Sequence, residues 1–108
     1  MIEAAEAIGD FVSGRARQDF DSDRMLLFAV VRAIEVIGEA AAQISDETTS
    51  LAPVIPWRAI VGMRNRIVHA YWDIDTEIVW RTAVEEIPGL LPLLHDALDR
   101  GGQGGGEP

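Results

Sequence analysis

The stretch "RMLLFAVVRAIEVIGEAAAQIS", residues 24–45, carries a clear helical pattern. Its polar side chains recur every three or four residues, and nearly all the others are apolar. The polar stripe consists of Arg32, Glu35, Glu39 and Gln43, followed by Asp46. This repeat follows the period of an α-helix, about 3.6 residues. The pattern therefore predicts one long helix with a narrow polar stripe.

The predicted helix is apolar over most of its circumference, whereas an outer helix of a globular domain needs an apolar arc of a little over about 100°. One face would hold Leu27, Val30, Ile34, Ile37 and Ala41, and a second face Leu26, Ala33, Val36, Ala40 and Ile44. A chain of 108 residues has few other helices to cover both faces. We therefore expect a second copy of the chain to cover one face across a two-fold axis. The prediction is a homodimer.

Three further helices are predicted, over residues 2–12, 56–71 and 76–100. Pro88 and Pro92 should kink or restart the last one at Ile87, because proline cannot continue a regular helix. A polar, proline-containing segment, residues 46–56, is predicted to be a loop. The candidate N-caps are Asp21, Ser22 and Asp23 for the long helix and Asp73 and Asp75 for the last one.

These elements predict an all-α fold, a bundle of about four to five helices over residues 1–100. The Gly-rich sequence "GGQGGGEP", residues 101–108, is predicted to be a disordered tail. Cysteine is absent, which excludes disulfides, thiolate metal sites and a thiol nucleophile. The first residues include Glu3 and Glu6 rather than a basic secretion signal, and no apolar run reaches the roughly 18 residues of a membrane span. We therefore expect a cytoplasmic protein that does not enter a membrane.

The charge distribution contains one local positive region. The net charge is −9, all nine basic residues are Arg, and such a balance repels nucleic acid at long range. Residues 56–72, however, contain Arg58, Arg64 and Arg66 and no acidic residue. This basic segment can therefore attract an anion despite the overall charge.

The polar side chains of the basic segment suggest chemistry at a phosphodiester. Arg64 and Arg66 can clamp a phosphate, and His69 can move a proton near neutral pH. Without a thiol or an evident carboxylate cluster for Mg²⁺, the economical reaction needs no metal and no cofactor: attack by a neighbouring 2′-hydroxyl, which cleaves RNA and spares DNA. Arg64 and His69 lie about 140° apart on an ideal helix. They could converge if His69 lies in a fraying last turn, if the Arg64 side chain bends round, or if a dimer axis brings two copies together.

The stretch "RNRIVHAY", residues 64–71, resembles the Arg-x-x-x-x-His-x-Tyr motif of HEPN-domain proteins, specifically the HepT-like toxins of bacterial and archaeal toxin–antitoxin pairs. The resemblance extends to about residue 100 through "AIEVIGEAAAQIS", "IPWRAIVGMRNRIVHAYWDID" and "EIVWRTAVEEIPGLL", in the family's order. It implies a helical bundle, a homodimer with the motif at a composite cleft, and ribonuclease activity. The first helix is shorter than its counterpart in that family, which leaves open where the protein starts.

The resemblance also implies roles for single residues. Arg64 and His69 match the catalytic pair, and Asn65 matches the polar residue that the family places beside the Arg. Tyr71 matches the tyrosine to which the family's antitoxin, a minimal nucleotidyltransferase, attaches AMP. A nucleotide on Tyr71 would add bulk and negative charge beside the cleft and so obstruct RNA.

Several alternatives stay open. Arg66 could contact phosphate or form a salt bridge. Glu35 and Glu39 could form a solvated stripe with Arg32, or lie near the cleft and orient Arg64. The whole chain could also be a non-catalytic helical dimer that serves as a nucleotide-binding or interaction module for a nucleotidyltransferase.

Overall fold

The computed structural model describes residues 1–70 and 73–104, apart from the side chains of Arg64, Val68, His69, Ala70, Asp73 and residues 100–104. Its elements, in order, are α1 (Ile2–Val12), α2 (Asp19–Ser22), α3 (Arg24–Gln43), α4 (Asp46–Ser50), α5 (Trp57–Ile67), β1 (Val68–Ala70), β2 (Asp73–Ile74), α6 (Thr76–Arg81), a π-helical segment (Thr82–Glu86) and α7 (Ile87–Gly104). The predicted all-α class is confirmed. The bundle has more and shorter helices than the four to five expected.

Helix α3 lies at the centre of the bundle and packs against α1 and α5, with further contacts to α2 and α6. Its first predicted face is fully buried, as expected. The second face includes Leu26 and Ala33, which the chain itself buries, and Val36 and Ala40, which are half-buried. Ile44, the last member of that face, is also half-buried, so the chain itself covers the second face only in part. The homodimer stays a prediction.

Two predicted caps are confirmed by their hydrogen bonds. The Asp23 carboxylate accepts from the backbone N–H of Leu26 at 3.1 Å and begins α3. The Asp75 carboxylate accepts from the N–H groups of Glu77 and Ile78 and begins α6. Each acid satisfies donors that the first turn of a helix leaves without a partner.

The predicted loop over residues 46–56 is wrong in its first five residues, which form α4. The Ser45 hydroxyl accepts from the N–H of Thr48 at 3.2 Å and caps this short helix. Asp46 and Glu47 then lie in the first turn, where negative charge is favourable at a helix N-terminus. A local cap therefore forms one helical turn before Pro53 interrupts it.

The predicted third helix ends four residues early, at Ile67. The chain continues as β1, which pairs antiparallel with β2, with Val68 opposite Ile74. The backbone N–H of Asp75 donates to the carbonyl of Ile67 at 3.2 Å and closes this ladder against the end of α5. Tyr71, the predicted modification site, lies outside the described residues.

The last predicted helix is divided, and α7 begins at Ile87 as predicted. The division has a steric basis, because the ring of a helical proline clashes with the carbonyl four residues earlier, which for Pro88 is that of Val84. The wider π-helical turn contains Val84. Helix α7 then extends to Gly104, four residues into the predicted tail. Residues 105–108 lie outside the description, and the division into domain and tail stays a prediction.

We infer that α3 and α5 run antiparallel, because Gly38 packs against Ile60 while the end of α3 and the start of α5 line one groove. An apolar groove of about 1010 Å³ is lined by Ile44, just after the end of α3, and by Trp57, the first residue of α5. The same groove is lined by Ile2 of α1 and Leu94 of α7. The C-terminal turn of α5, which carries the motif arginines, therefore lies toward the opposite end of the bundle.

Within residues 1–70 and 73–104, no helix combines the length and the apolarity that a membrane crossing needs. The expected cytoplasmic location stays a prediction.

Candidate active site

The motif lies across the junction of α5 and β1. Arg64, Asn65 and Arg66 belong to the last turn of α5, whereas His69 is the middle residue of β1. The helix predicted over residues 56–71 included His69, and this is wrong because the helix ends at Ile67. Arg64 and His69 therefore lie on two different elements, and the angle of about 140° expected between them on one helix does not apply. How the two side chains converge, and whether a second chain takes part, stays a prediction.

The two motif arginines occupy different flanks of α5. The buried face of this helix consists of Ile60, Met63 and Ile67. Residues two apart on a helix are separated by about 160° around its axis, so the positions of Arg64 and Arg66 flank the buried face on opposite sides. The backbone positions 64 and 66 therefore lie on different sides of the helix.

Arg66 forms a salt bridge with Glu86 of the π-helical segment. Its Nη2 atom donates to Oε1 of Glu86 at 3.0 Å, and both side chains are partly exposed. Of the two interpretations left open for Arg66, the salt bridge is present. The carboxylate of Glu86, which follows Arg66 by 20 residues in the sequence, thus contacts the basic segment. An exposed pair of this kind contributes roughly 0–1 kcal/mol to stability.

Asn65 and Arg58 are both exposed on α5. They lie on the side of the helix away from its buried face. Asn65 is therefore available to a ligand that approaches from solvent. The side chains of Arg64 and His69 and the whole of Tyr71 lie outside the described residues.

The polar stripe of α3 is present as predicted. Nη1 of Arg32 lies 3.5 Å from Oε1 of Glu35 and 3.9 Å from Oε1 of Glu39. The two acids differ in burial, since the Glu35 side chain is 22% exposed and that of Glu39 is 59% exposed. Glu35 is therefore the stripe carboxylate closer to the packed surface of the bundle.

Two residues near the motif were not singled out by the sequence. One is Glu86, whose contact with Arg66 is long-range. The other is Gly38, where a Cβ atom would lie 3.4 Å from the carbonyl oxygen of Ile60. A glycine inside a strongly helical pattern is the signal that could have indicated this close helix contact.

Comparison with known proteins identifies the family. A family model described as "Ribonuclease HepT-like" matches residues 1–97, which include every motif residue. This chain belongs to the HepT-like ribonuclease family. Both the family and the enzyme class predicted from the sequence, a ribonuclease, are thereby confirmed.

Related HepT-like chains are similar over most of their length. A protein of Thermococcus cleftensis named "Probable ribonuclease HepT" is 42% identical over 90 residues, which cover 83% of this chain and 82% of that protein. A protein of Methanocaldococcus jannaschii named as an inferred RNase is 33% identical over 83% of each chain. Another, from Caldanaerobacter subterraneus, is 32% identical over 93% of this chain and 89% of its own. No solved structure matches the chain.

Proposed function

We propose that this HepT-like chain is the toxin of a toxin–antitoxin pair and an endoribonuclease that cleaves RNA through the 2′-hydroxyl without a metal ion. The observation that carries the proposal is the position of residues 64–70 of the motif at the point where α5 ends and β1 begins. This junction puts the arginine and the histidine on two adjoining elements. The family match over the same residues supports the assignment.

In the proposed reaction the ribose 2′-oxygen attacks the adjacent phosphorus. A bond forms between O2′ and phosphorus while the bond between phosphorus and O5′ breaks, which leaves a 2′,3′-cyclic phosphate and a 5′-hydroxyl end. His69 takes the 2′-hydroxyl proton as general base, and a proton returns to O5′ from the solvent or a second acid. Arg64 stabilises the charge that develops on the non-bridging oxygens.

Arg66 and Asn65 are proposed to hold RNA rather than to react with it. The guanidinium of Arg66 has five N–H donors, and its hydrogen bond to Glu86 engages one nitrogen atom, Nη2. Arg66 can therefore contact a phosphate and Glu86 together. Asn65 is exposed beside it and can donate or accept hydrogen bonds.

The active form is proposed to be a homodimer with the motif at a cleft between the two chains. The basis is the family resemblance, together with the exposed apolar side chains Met25 and Phe28 on α3. Two copies of the basic segment would give a stronger anion site than one, which matters in a chain with a net charge of −9. Sedimentation or light scattering measures the mass directly, and a monomer at assay concentration would contradict this part of the proposal.

Control is proposed to act at Tyr71. A minimal nucleotidyltransferase would transfer AMP to the phenolic oxygen, which attacks the α-phosphorus of a nucleoside triphosphate and displaces pyrophosphate. The added phosphodiester obstructs RNA by its bulk and negative charge. Intact mass after co-expression with such a partner measures the modification. An unchanged mass, or AMP that maps to another residue, would contradict this control.

The test of the enzyme is cleavage of RNA by purified protein in excess EDTA. Arg64→Ala and His69→Ala should each abolish cleavage, whereas Arg58→Ala, on the same helix and exposed, should retain it. Cleavage that survives in either motif variant would contradict the assignment. The three variants should share one circular dichroism spectrum, which excludes unfolding as the cause.

A second candidate is a non-catalytic helical dimer that binds nucleotides or a nucleotidyltransferase. The net charge of −9 and the neutralisation of Arg66 by Glu86 favour it, because both weaken the attraction of RNA. A wild-type dimer that binds the nucleotidyltransferase but cleaves no RNA would decide for this candidate.

A further inference from the structure

The contact between α3 and α5 determines which residues lie level with the motif. A Cβ atom at Gly38 would meet the carbonyl oxygens of Ile60 and Val61 at 3.4 and 3.6 Å, so the two helices nearly touch through their backbones. Because the helices are antiparallel, residues nearer the N-terminus of α3 lie beside residues nearer the C-terminus of α5. Arg64 lies about 6 Å beyond Ile60, and Glu35 about 4.5 Å before Gly38, in the same direction.

Both positions also lie on the facing sides of their helices. Arg64 is four residues after Ile60, and Glu35 is three residues before Gly38, spacings that keep residues on one helical face. Glu35 is less exposed than Glu39, 22% against 59% of the side chain, as expected for a carboxylate turned toward the neighbouring helix. The position of Arg64 is thus level with a partly buried carboxylate.

We propose that Glu35 is a positioning residue for Arg64, and that its carboxylate accepts hydrogen bonds from the guanidinium and aims the remaining donors at the scissile phosphate. Arginine matches a carboxylate with its planar fork, so one side of the group can be fixed while the other binds phosphate. Arg32 lies 3.5 Å from the same carboxylate on its solvent side. Glu35 therefore links the polar stripe of α3 to the catalytic arginine. The inference rests on the proposed ribonuclease function.

The kinetic test compares Glu35→Ala with Glu39→Ala, which removes an equal charge from the same helix and the same Arg32 contact. We expect Glu35→Ala to lower kcat roughly 10- to 100-fold with little change in KM, because misplaced catalytic groups cost up to about that factor. Glu35→Gln should recover part of the loss, since its amide oxygen still accepts a hydrogen bond. Equal kcat values for Glu35→Ala and Glu39→Ala would overturn the proposal.

A second measurement does not depend on cleavage. The urea midpoints of wild type, Glu35→Gln, Arg64→Gln and the double variant form a double-mutant cycle. If Glu35 and Arg64 interact, the double variant should shift the midpoint by less than the sum of the two single shifts. The same cycle with Glu39→Gln in place of Glu35→Gln should be additive. Additive shifts in the Glu35 cycle would overturn the proposal. If the wild-type protein cleaves no RNA, the proposed function fails, and this cycle still decides whether Glu35 and Arg64 interact.

Discussion

Gly38 of α3 packs against the main chain of Ile60 in α5, so closely that a Cβ atom at Gly38 would lie 3.4 Å from the Ile60 carbonyl oxygen. This contact fixes the distance between the helix that carries the polar stripe and the helix that carries the motif arginines. Position 38 therefore has room for no side chain larger than a methyl group unless the two helices move apart.

The effect of a substitution at Gly38 on stability should depend on the size of the new side chain. At 3.4 Å an alanine methyl group just fits, so Gly38→Ala should raise the free energy of unfolding by about 0.5–1 kcal/mol, the usual gain over glycine inside a helix. Gly38→Leu should lower it by roughly 1–3 kcal/mol by pushing the helices apart. Urea denaturation measures both, with Gly9→Leu as control because nothing lies within 4 Å of a Cβ there. Equal values for the two Gly38 variants would show that the contact is absent.

Thr82 should be replaceable with a gain in stability. It is fully buried in the π-helical segment, and its hydroxyl has no hydrogen-bond partner in the part of the chain that the structure describes. Thr82→Val removes the unsatisfied polar atom and should raise the free energy of unfolding by about 1 kcal/mol. Thr82→Ser keeps the hydroxyl, loses a methyl group and should lower it by about 1 kcal/mol. A loss in Thr82→Val would mean that the hydroxyl has a partner in solution.

Arg66 should affect RNA binding more than catalysis. Arg66→Gln removes one phosphate contact, so the slope of log KM against log salt should fall by about 0.7, the value for one contact to single-stranded nucleic acid. The turnover number, kcat, should stay near that of the wild type. Arg58→Gln makes the same change in charge on an exposed part of the same helix and should leave the slope unaltered. Identical slopes for the two variants would assign Arg66 to the Glu86 salt bridge alone.

A mixture of inactive variants tests whether the site is shared between two chains. If Arg64 of one chain acts with His69 of the other, Arg64→Ala and His69→Ala chains unfolded together and refolded should recover about a quarter of wild-type activity, because half of the dimers are mixed and each has one intact site. Each variant refolded alone is the control. No recovery in a mixture that forms mixed dimers would place both residues of a site in one chain.

Local patterns in the sequence were sufficient for much of the fold. The bounds of α1 and the start of α3 were predicted from hydrophobic periodicity, and the caps at Asp23 and Asp75 from side chains that act on their own helix. The restart at Ile87 follows from the geometry of proline. These features depend on neighbours within one helical turn, which a single sequence displays.

Features that depend on distant residues were missed. The end of α5 at Ile67 is followed by pairing of β1 with β2, and the helical pattern itself continues through "IVHAY". The partner of Arg66 lies 20 residues along the chain. The coverage of α3 depends on how α1, α2, α5 and α6 surround it. The motif residues could be identified from the sequence because their types and order are characteristic. Their arrangement in space could not be predicted.

The most direct test of the account is a cleavage assay in EDTA with two oligonucleotides of one sequence, one of ribonucleotides and one with every 2′-hydroxyl replaced by hydrogen. The account predicts that the wild-type protein cleaves only the first, leaves 2′,3′-cyclic phosphate and 5′-hydroxyl ends, and loses this activity in His69→Ala. Cleavage of the 2′-deoxy oligonucleotide, or a His69→Ala protein as active as the wild type, would contradict the account.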